Sequence, residues 1–250
     1  MGLVNVWPTS GRFKEIRMKI VFVSDLHGYT PEIPECDVCC FIGDYQRCDT
    51  RWENSDYFLR LKERCITVGV AGNHDFHLER DRQLGPKMFT HYLLDTSVEV
   101  NGIKFFGTPY TLLDGYSFYK SEEELRTLYD KMYYDFILGN NFPDIILSHQ
   151  PAYGVLDRNN PNRWGPSENC GSKSLLEFVK KCEPSLHCCG HIHEGFGMAR
   201  LEHPNSNNYT TCLNVAYCGQ HLQIINLEIV QNVIQKVSEL TVQRIIRLAS

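Results

Sequence analysis

Apolar residues in this chain gather in short runs that stop abruptly at polar ones. Ile20–Val23 runs into Ser24-Asp25-Leu26-His27, and Val38–Ile42 into Gly43-Asp44. Ile66–Val70 leads to Ala71-Gly72-Asn73-His74-Asp75, Ile145–Leu147 to Ser148-His149, and Leu186–Cys189 to Gly190-His191-Ile192-His193. Short, nearly continuous apolar runs predict strands buried on both faces. Amphipathic spacing predicts helices over Asn54–Arg64 and Ser172–Lys181. Ser121 with Glu124 forms a capping-box signature ahead of Leu125, Leu128 and Met132. Asn101-Gly102, between Val98–Val100 and Ile103–Phe106, predicts a hairpin turn. Strands alternating with helices, followed by hairpins, predict an α/β fold whose layered sheet is covered by helices. Near the end, Val230, Val233, Ile234, Val237 and Leu240 recur at helical spacing, with Ile245 and Leu248 continuing the stripe. We therefore expect a C-terminal amphipathic helix over 230–250, packed on the domain or used as a homo-oligomer contact.

Each of the five strand-like runs delivers its polar residues at its C-terminal end, the edge at which open α/β sheets bind ligands. Asp25, His27, Asp44, Asn73, His74, His149, His191 and His193 thus fall on one rim, and each can bind metal or move a proton. Asp25 and His27 are two apart, as are His191 and His193, and in extended backbone such pairs point to the same side. Asn73 and His74 are neighbours and should diverge, one toward a metal and the other toward substrate. Seven of these residues around two divalent ions would contribute two negative charges against four positive ones. The net positive centre would attract phosphate and lower the pKa of bound water by several units. Nitrogen and oxygen donors without thiolate suit Mn, Fe, Zn or Ni rather than Mg or Ca.

Composition narrows the setting. The length of 250 residues suits one domain, and no apolar run approaches the roughly 18 residues needed to span a bilayer. The first 17 residues lack an apolar core, so they read as a leader rather than a signal peptide. A net charge of −5 argues against a nucleic-acid partner. The 11 cysteines are odd in number, and several lie inside apolar runs; the expected compartment is a reducing cytoplasm. Cys36-x-x-Cys39 has no second pair at zinc spacing, which argues against a zinc or redox motif.

Asp25-x-His27, Gly43-Asp44, Gly72-Asn73-His74-Asp75, Ser148-His149 and Gly190-His191-x-His193, in this order, resemble the five blocks of the calcineurin-like metallophosphoesterase superfamily. The likeness spans about residues 18–229 and implies a four-layer α/β/β/α sandwich. It implies that Asp25, His27 and His193 hold one metal, often iron or manganese, and that Asn73, His149 and His191 hold a second. Asp44 would bridge them, a bridging hydroxide would attack phosphorus, and His74 would protonate the leaving alkoxide. Ser148-His149-Gln150-Pro151-x-x-Gly154-x-x-Asp157, His191–Gly197 and Tyr209-Thr210-Thr211 before Asn214 are similar to the small stand-alone metallophosphoesterase-domain phosphodiesterases.

The implied activity is hydrolysis of a small-molecule phosphodiester, with nucleotides among the candidates. A phosphomonoesterase or protein phosphatase, a nuclease, and a non-enzymatic scaffold are the alternatives. Protein phosphatases of this superfamily follow the bridging aspartate with Val-Asp-Arg-Gly after one residue. Here Tyr45-Gln46-Arg47-Cys48 follows Asp44, so the acid that orients the histidine is missing from its place. Arg47 is a candidate contact for substrate phosphate, along with Asn73 and His74. Tyr45, Tyr110, Tyr153 and Phe196 are candidate pocket walls. Asp75 is expected to cap the segment after it, and Asn214 to make a buried hydrogen bond.

Overall fold

The structure, a computed structural model, describes residues 16–46, 55–161, 168–204, 206, 208–216, 221–230 and 233–244. Among the described residues, twelve strands form two six-stranded sheets. The first contains β1 (Ile16–Val23), β2 (Val38–Ile42), β3 (Ile66–Val70), β4 (His91–Tyr92), β11 (His221–Val230) and β12 (Val233–Arg244), in the order β12-β11-β1-β2-β3-β4. The second contains β5 (Thr96–Val100), β6 (Ile103–Thr108), β7 (Ile145–Ser148), β8 (Leu186–Cys189), β9 (Gly197–His203) and β10 (Asn208–Asn214), in the order β5-β6-β7-β8-β10-β9. Helices α1 (Ser55–Lys62), α2 (Phe76–Arg80) and α3 (Leu84–Met88) cover one side, and α4 (Glu122–Gly139) and α5 (Lys173–Cys182) the other.

The alternation of side chains along a strand explains why the runs are apolar throughout. In β1 and β2, Ile20, Phe22, Cys40 and Ile42 point between the sheets and meet Phe105, Ile145, Leu147, Cys188 and Leu213. Their neighbours Val21, Val23, Cys39 and Phe41 point outward and pack with Phe58, Leu61, Leu78 and Met88. On the opposite side, Phe106 and Ile146 pack under Leu125, Tyr129, Leu175 and Phe178. Both faces of the central strands β1, β2, β6 and β7 are therefore buried, and the result is the expected α/β/β/α sandwich.

Local signals set several boundaries. Helix α4 starts at the expected capping box: Glu124 N donates to Ser121 Oγ (3.3 Å), and Ser121 N donates to Glu124 Oε2 (2.9 Å). A serine cap recurs at α5, where the Ser172 hydroxyl accepts from Leu175 N. Asn101 (φ 52°) and Gly102 (φ 83°) both take the left-handed conformation that a two-residue hairpin turn between β5 and β6 requires.

The C-terminal expectation is corrected. Residues 233–244 are a strand, not a helix: β12 pairs antiparallel with β11, and β11 with β1. Val230, Val233, Ile234, Val237, Thr241 and Val242 are β-branched. Such side chains suit a pleated surface, and the open edge of β1 supplies the partner. The sheet thus runs beyond residue 229, and it begins at Ile16, inside the expected leader. Residues 1–15, Ile245 and Leu248 lie outside the described residues.

Candidate metal centre

The strands that lead to the expected site residues run parallel within each sheet: β1, β2 and β3 in the first, β7 and β8 in the second. Their C-terminal ends are stitched together within each sheet and, through Ser24 and Val215, between the sheets. Ser24 N donates to Val215 O (3.1 Å), Asp25 N to Gly43 O (3.0 Å), His27 N to Asp44 O (2.9 Å) and Gly190 N to His149 O (3.1 Å). All eight chemistry-bearing residues read from the sequence meet there.

They converge by a different local geometry from the extended one expected. Asp25 (φ 56°), His27 (φ 45°), Asp44 (φ 56°) and His191 (φ 64°) are all left-handed. Each such residue costs of order 1–3 kcal/mol, borne where the surrounding structure fixes it. The conformation turns the chain off the strand end and folds the side chains back toward a common point. It also lets backbone N–H groups donate to the site's own carboxylates: His191 N to Asp25 Oδ2 (2.9 Å) and His74 N to Asp44 Oδ1 (2.8 Å). Glycine is required where these loops touch. A Cβ on Gly43 would lie 2.5 Å from His149 Nδ1 and 2.7 Å from the Gly72 backbone.

Two ligand groups result. In the first, His193 Nε2 lies 3.1 Å from Asp25 Oδ1 and 3.3 Å from His27 Nε2. In the second, His149 Nε2 lies 3.3 Å from Asp44 Oδ1 and 3.0 Å from Asn73 Oδ1, with a ring nitrogen of His191 close by. Asp44 sits between the two, its Oδ2 facing His27 Nε2 at 3.9 Å and His74 Nε2 at 3.8 Å. Asn73 and His74 diverge as expected: Asn73 is buried against His149, whereas His74 keeps 25% of its side chain exposed at the rim.

The second group shows why a cation fits. His149 Nδ1 is 2.7 Å from Ile42 O and must donate its proton there. The remaining nitrogen then presents a lone pair to the carboxylate oxygen of Asp44 and the amide oxygen of Asn73. Three acceptors at such range repel unless a proton or a metal ion lies among them. The spacings of 3.0–3.3 Å are those of neighbouring ligands on one ion with bonds of about 2.0–2.2 Å.

In the metal-free protein a proton takes that place. Burial pulls the His149 imidazole down, but the adjacent Asp44 carboxylate outweighs it and raises the pKa to about 9. His191 goes the other way, to about 4, through burial and the neighbouring His149 charge. Asp25 and Asp44 stay ionised: burial opposes it, but the surrounding imidazoles hold both below the usual carboxylate range. Metal uptake by chelated protein at pH 7 is therefore expected to expel about one proton from His149. Calorimetry in buffers of different ionisation enthalpy measures this, and buffer-independent heats would refute it. Because the folded value lies above the usual 6.5, the pair stabilises chelated protein most fully below that pH. The contribution is lost as pH rises through about 9.

Surrounding residues hold this arrangement. Asp75 occupies the N-cap position of α2, but its side chain makes no cap bond there. It accepts instead from Gly72 N (2.7 Å), Asp44 N (2.8 Å) and Tyr45 N (3.0 Å), joining the loops after β2 and β3. Burial and the nearby Asp44 charge raise its pKa to about 8. Asn214 donates to Ile192 O (2.8 Å) and Leu156 O (3.1 Å), anchoring the loop that carries His191 and His193. Tyr45 is no pocket wall: it is buried in the core, with its hydroxyl on Val70 O. Tyr110 donates to Asp95 Oδ2 (2.7 Å), and Tyr153 lies against Lys173. Phe196 follows the short 3₁₀ turn His193–Gly195 and is half-buried. Arg47 lies outside the described residues. Tyr116, which no sequence pattern marks, packs its ring 5.3 Å from that of His74, which also meets the His27 ring at 5.0 Å.

Among the described residues, the clusters able to hold a metal contain no cysteine. The Cys36 thiol is pushed up to about 12, chiefly by its hydrogen bond with Cys39 and by burial, which disfavours the thiolate that zinc or redox chemistry needs.

The model of the calcineurin-like phosphoesterase family matches residues 18–195. The chain belongs to this family. It is a metal-dependent phosphoesterase, and its ligand clusters answer to the two metal ions that the family typically binds. A UPF0046 protein of Caenorhabditis elegans is 28% identical over 246 residues, covering 90% of this chain and 77% of the relative. Human metallophosphoesterase domain-containing protein 1 is 26% identical over 248 residues, covering 85% and 70%. Among solved structures, a protein of Thermus thermophilus superposes with a TM-score of 0.59 at 13% identity, over 92% of this chain and 99% of that one. The NAD nucleotidase of Haemophilus influenzae gives 0.59 at 12% identity, over 92% of this chain and 50% of that one. At these identities the two structures share the fold. Among the described residues, no helix is long and apolar enough to cross a membrane.

Proposed function

We propose that the chain hydrolyses small phosphodiesters, with Asp25, His27 and His193 holding one metal ion, Asn73, His149 and His191 a second, and Asp44 both. Ions of Mn or Fe, or alternatively Zn or Ni, would supply Lewis acidity toward the phosphoryl oxygens and a nucleophile at neutral pH. His74, at the open side of the cluster, donates the proton that the leaving oxygen needs. The Ile42 carbonyl fixes the tautomer of His149, and Asp75 and Asn214 fix the loops, so the ligands are oriented before substrate arrives.

The observation that carries the diester reading is the likeness of Ser148-His149-Gln150-Pro151-x-x-Gly154-x-x-Asp157 and His191–Gly197 to the small stand-alone metallophosphoesterase-domain phosphodiesterases. The net charge of −5 favours a small substrate over a nucleic acid. With chelated protein and added Mn²⁺, bis-p-nitrophenyl phosphate should turn over faster than p-nitrophenyl phosphate. Monoester preference would make the protein a phosphatase instead. Absence of turnover with any metal would leave it a scaffold. Efficient cleavage of DNA or RNA, falling steeply with salt, would make it a nuclease.

A further inference from the structure

A sixth strand end reaches the same rim. β6 runs parallel to β7, with Thr108 paired to Ser148, and the chain then enters a loop over residues 109–120. Backbone bonds fasten that loop to the site: Ser117 N donates to Asn73 O (3.1 Å), Phe118 N to Glu79 Oε1 (2.8 Å) and Leu112 N to Gln150 Oε1 (3.2 Å). Thr111 N and Phe118 O close it on itself at 3.0 Å. Phe118 is buried in the core beneath.

The loop presents one large ring to His74. Tyr116 lies 5.3 Å from the His74 ring and 6.3 Å from the Phe76 ring, inclined at 37° to the latter. It remains 39% exposed. An exposed tyrosine clamped by its neighbour's backbone, beside the proton donor, offers a π-face at little entropic cost. His74 serves the leaving oxygen, so whatever that oxygen carries must extend past Tyr116.

We infer that Tyr116, backed by Phe76, forms a subsite that stacks an aromatic ring on the leaving side of the phosphoester, such as an aryl group or a nucleobase. This rests on the reading of His74 and the metal ligands given above. It narrows the substrate class to phosphoesters with a planar ring within reach of the leaving oxygen. Stacking on an aromatic side chain tolerates many ring types, so the subsite selects for a ring rather than for one base.

The test uses metal-loaded full-length protein and two probes of equal charge, phenyl phosphate and methyl phosphate, with dissociation constants from calorimetry. Wild type should bind the phenyl ester about tenfold more tightly. Tyr116→Ala should bring the two within about twofold while leaving methyl phosphate binding unchanged, and Tyr116→Phe should restore the preference. KM for bis-p-nitrophenyl phosphate should rise by about the same factor in the alanine variant. The loop's anchoring bonds to Asn73 and Glu79 are made by backbone N–H groups of residues 117 and 118, so the alanine variant should unfold at the wild-type temperature. A phenyl preference that survives Tyr116→Ala, or that Tyr116→Phe fails to restore, overturns the subsite and leaves the metal centre standing. Failure of wild type both to bind either ester and to turn over bis-p-nitrophenyl phosphate overturns the reading of the centre, and the subsite with it.

Discussion

Asp44→Asn is expected to lower turnover about a thousandfold or more and to leave the purified protein short of its second metal ion. The asparagine keeps the size of the side chain and an oxygen that can still accept from His74 N, now 2.8 Å away, so the loop should hold. What disappears is the one carboxylate placed between both ligand groups, with Oδ1 toward His149 and Oδ2 toward His27. Two cations held in one cluster would repel, and an amide offers no charge to offset the repulsion. The charge that raises the His149 pKa is lost as well, so proton release on metal uptake should shrink. Metal content by mass spectrometry and steady-state rates on bis-p-nitrophenyl phosphate decide the matter. A variant with two ions per chain and turnover within about tenfold of wild type would remove Asp44 from the bridging position.

His74→Ala should leave metal content unchanged and slow hydrolysis about 10²–10⁴-fold when the leaving group is an alkoxide. One tie from this residue to the metal centre is its backbone N–H, which alanine retains. The lost imidazole sits at the rim, with Nε2 3.8 Å from Asp44 Oδ2. A proton donor matters most when the departing oxygen is a strong base. The same variant should therefore lose much less on bis-p-nitrophenyl phosphate, whose p-nitrophenolate departs readily without protonation. Equal losses on both substrates would show that His74 acts on binding or metal affinity and not as the acid. Depleted metal in the variant would instead make His74 a ligand, as its place beside His27 and Asp44 permits.

The part of the site that was legible in the sequence is the part written into strand ends. Each candidate ligand follows an apolar run that hydrophobic burial forces into the sheets, so the sequence alone places Asp25, Asp44, Asn73, His149 and His191 on one edge. The shared edge follows from parallel pairing, which puts every C-terminal end on the same side. How the side chains converge was not legible. Left-handed backbone at Asp25, His27 and His191 replaces the extended geometry that their spacing suggested. Tyr116 was invisible for a related reason. Residues 103–106 read as half of a hairpin, and nothing local shows that β6 also pairs with β7 and sends its following loop back over His74.

The C-terminal stripe marks the limit of periodicity as evidence. Its spacing fits a helix, but its β-branched residues fit a strand equally well, and the presence of a free edge on β1 decided between them. By itself the sequence determined the buried strands and the candidate metal-binding side chains at their ends, because those depend on short-range pattern and residue chemistry, while the four layers were implied by the family resemblance. Only the tertiary structure decided the conformation of residues 233–244, the anchoring roles of Asp75 and Asn214, and the aromatic neighbour of His74. These rest on contacts between segments far apart in the chain, whose energies appear only when both partners are in place.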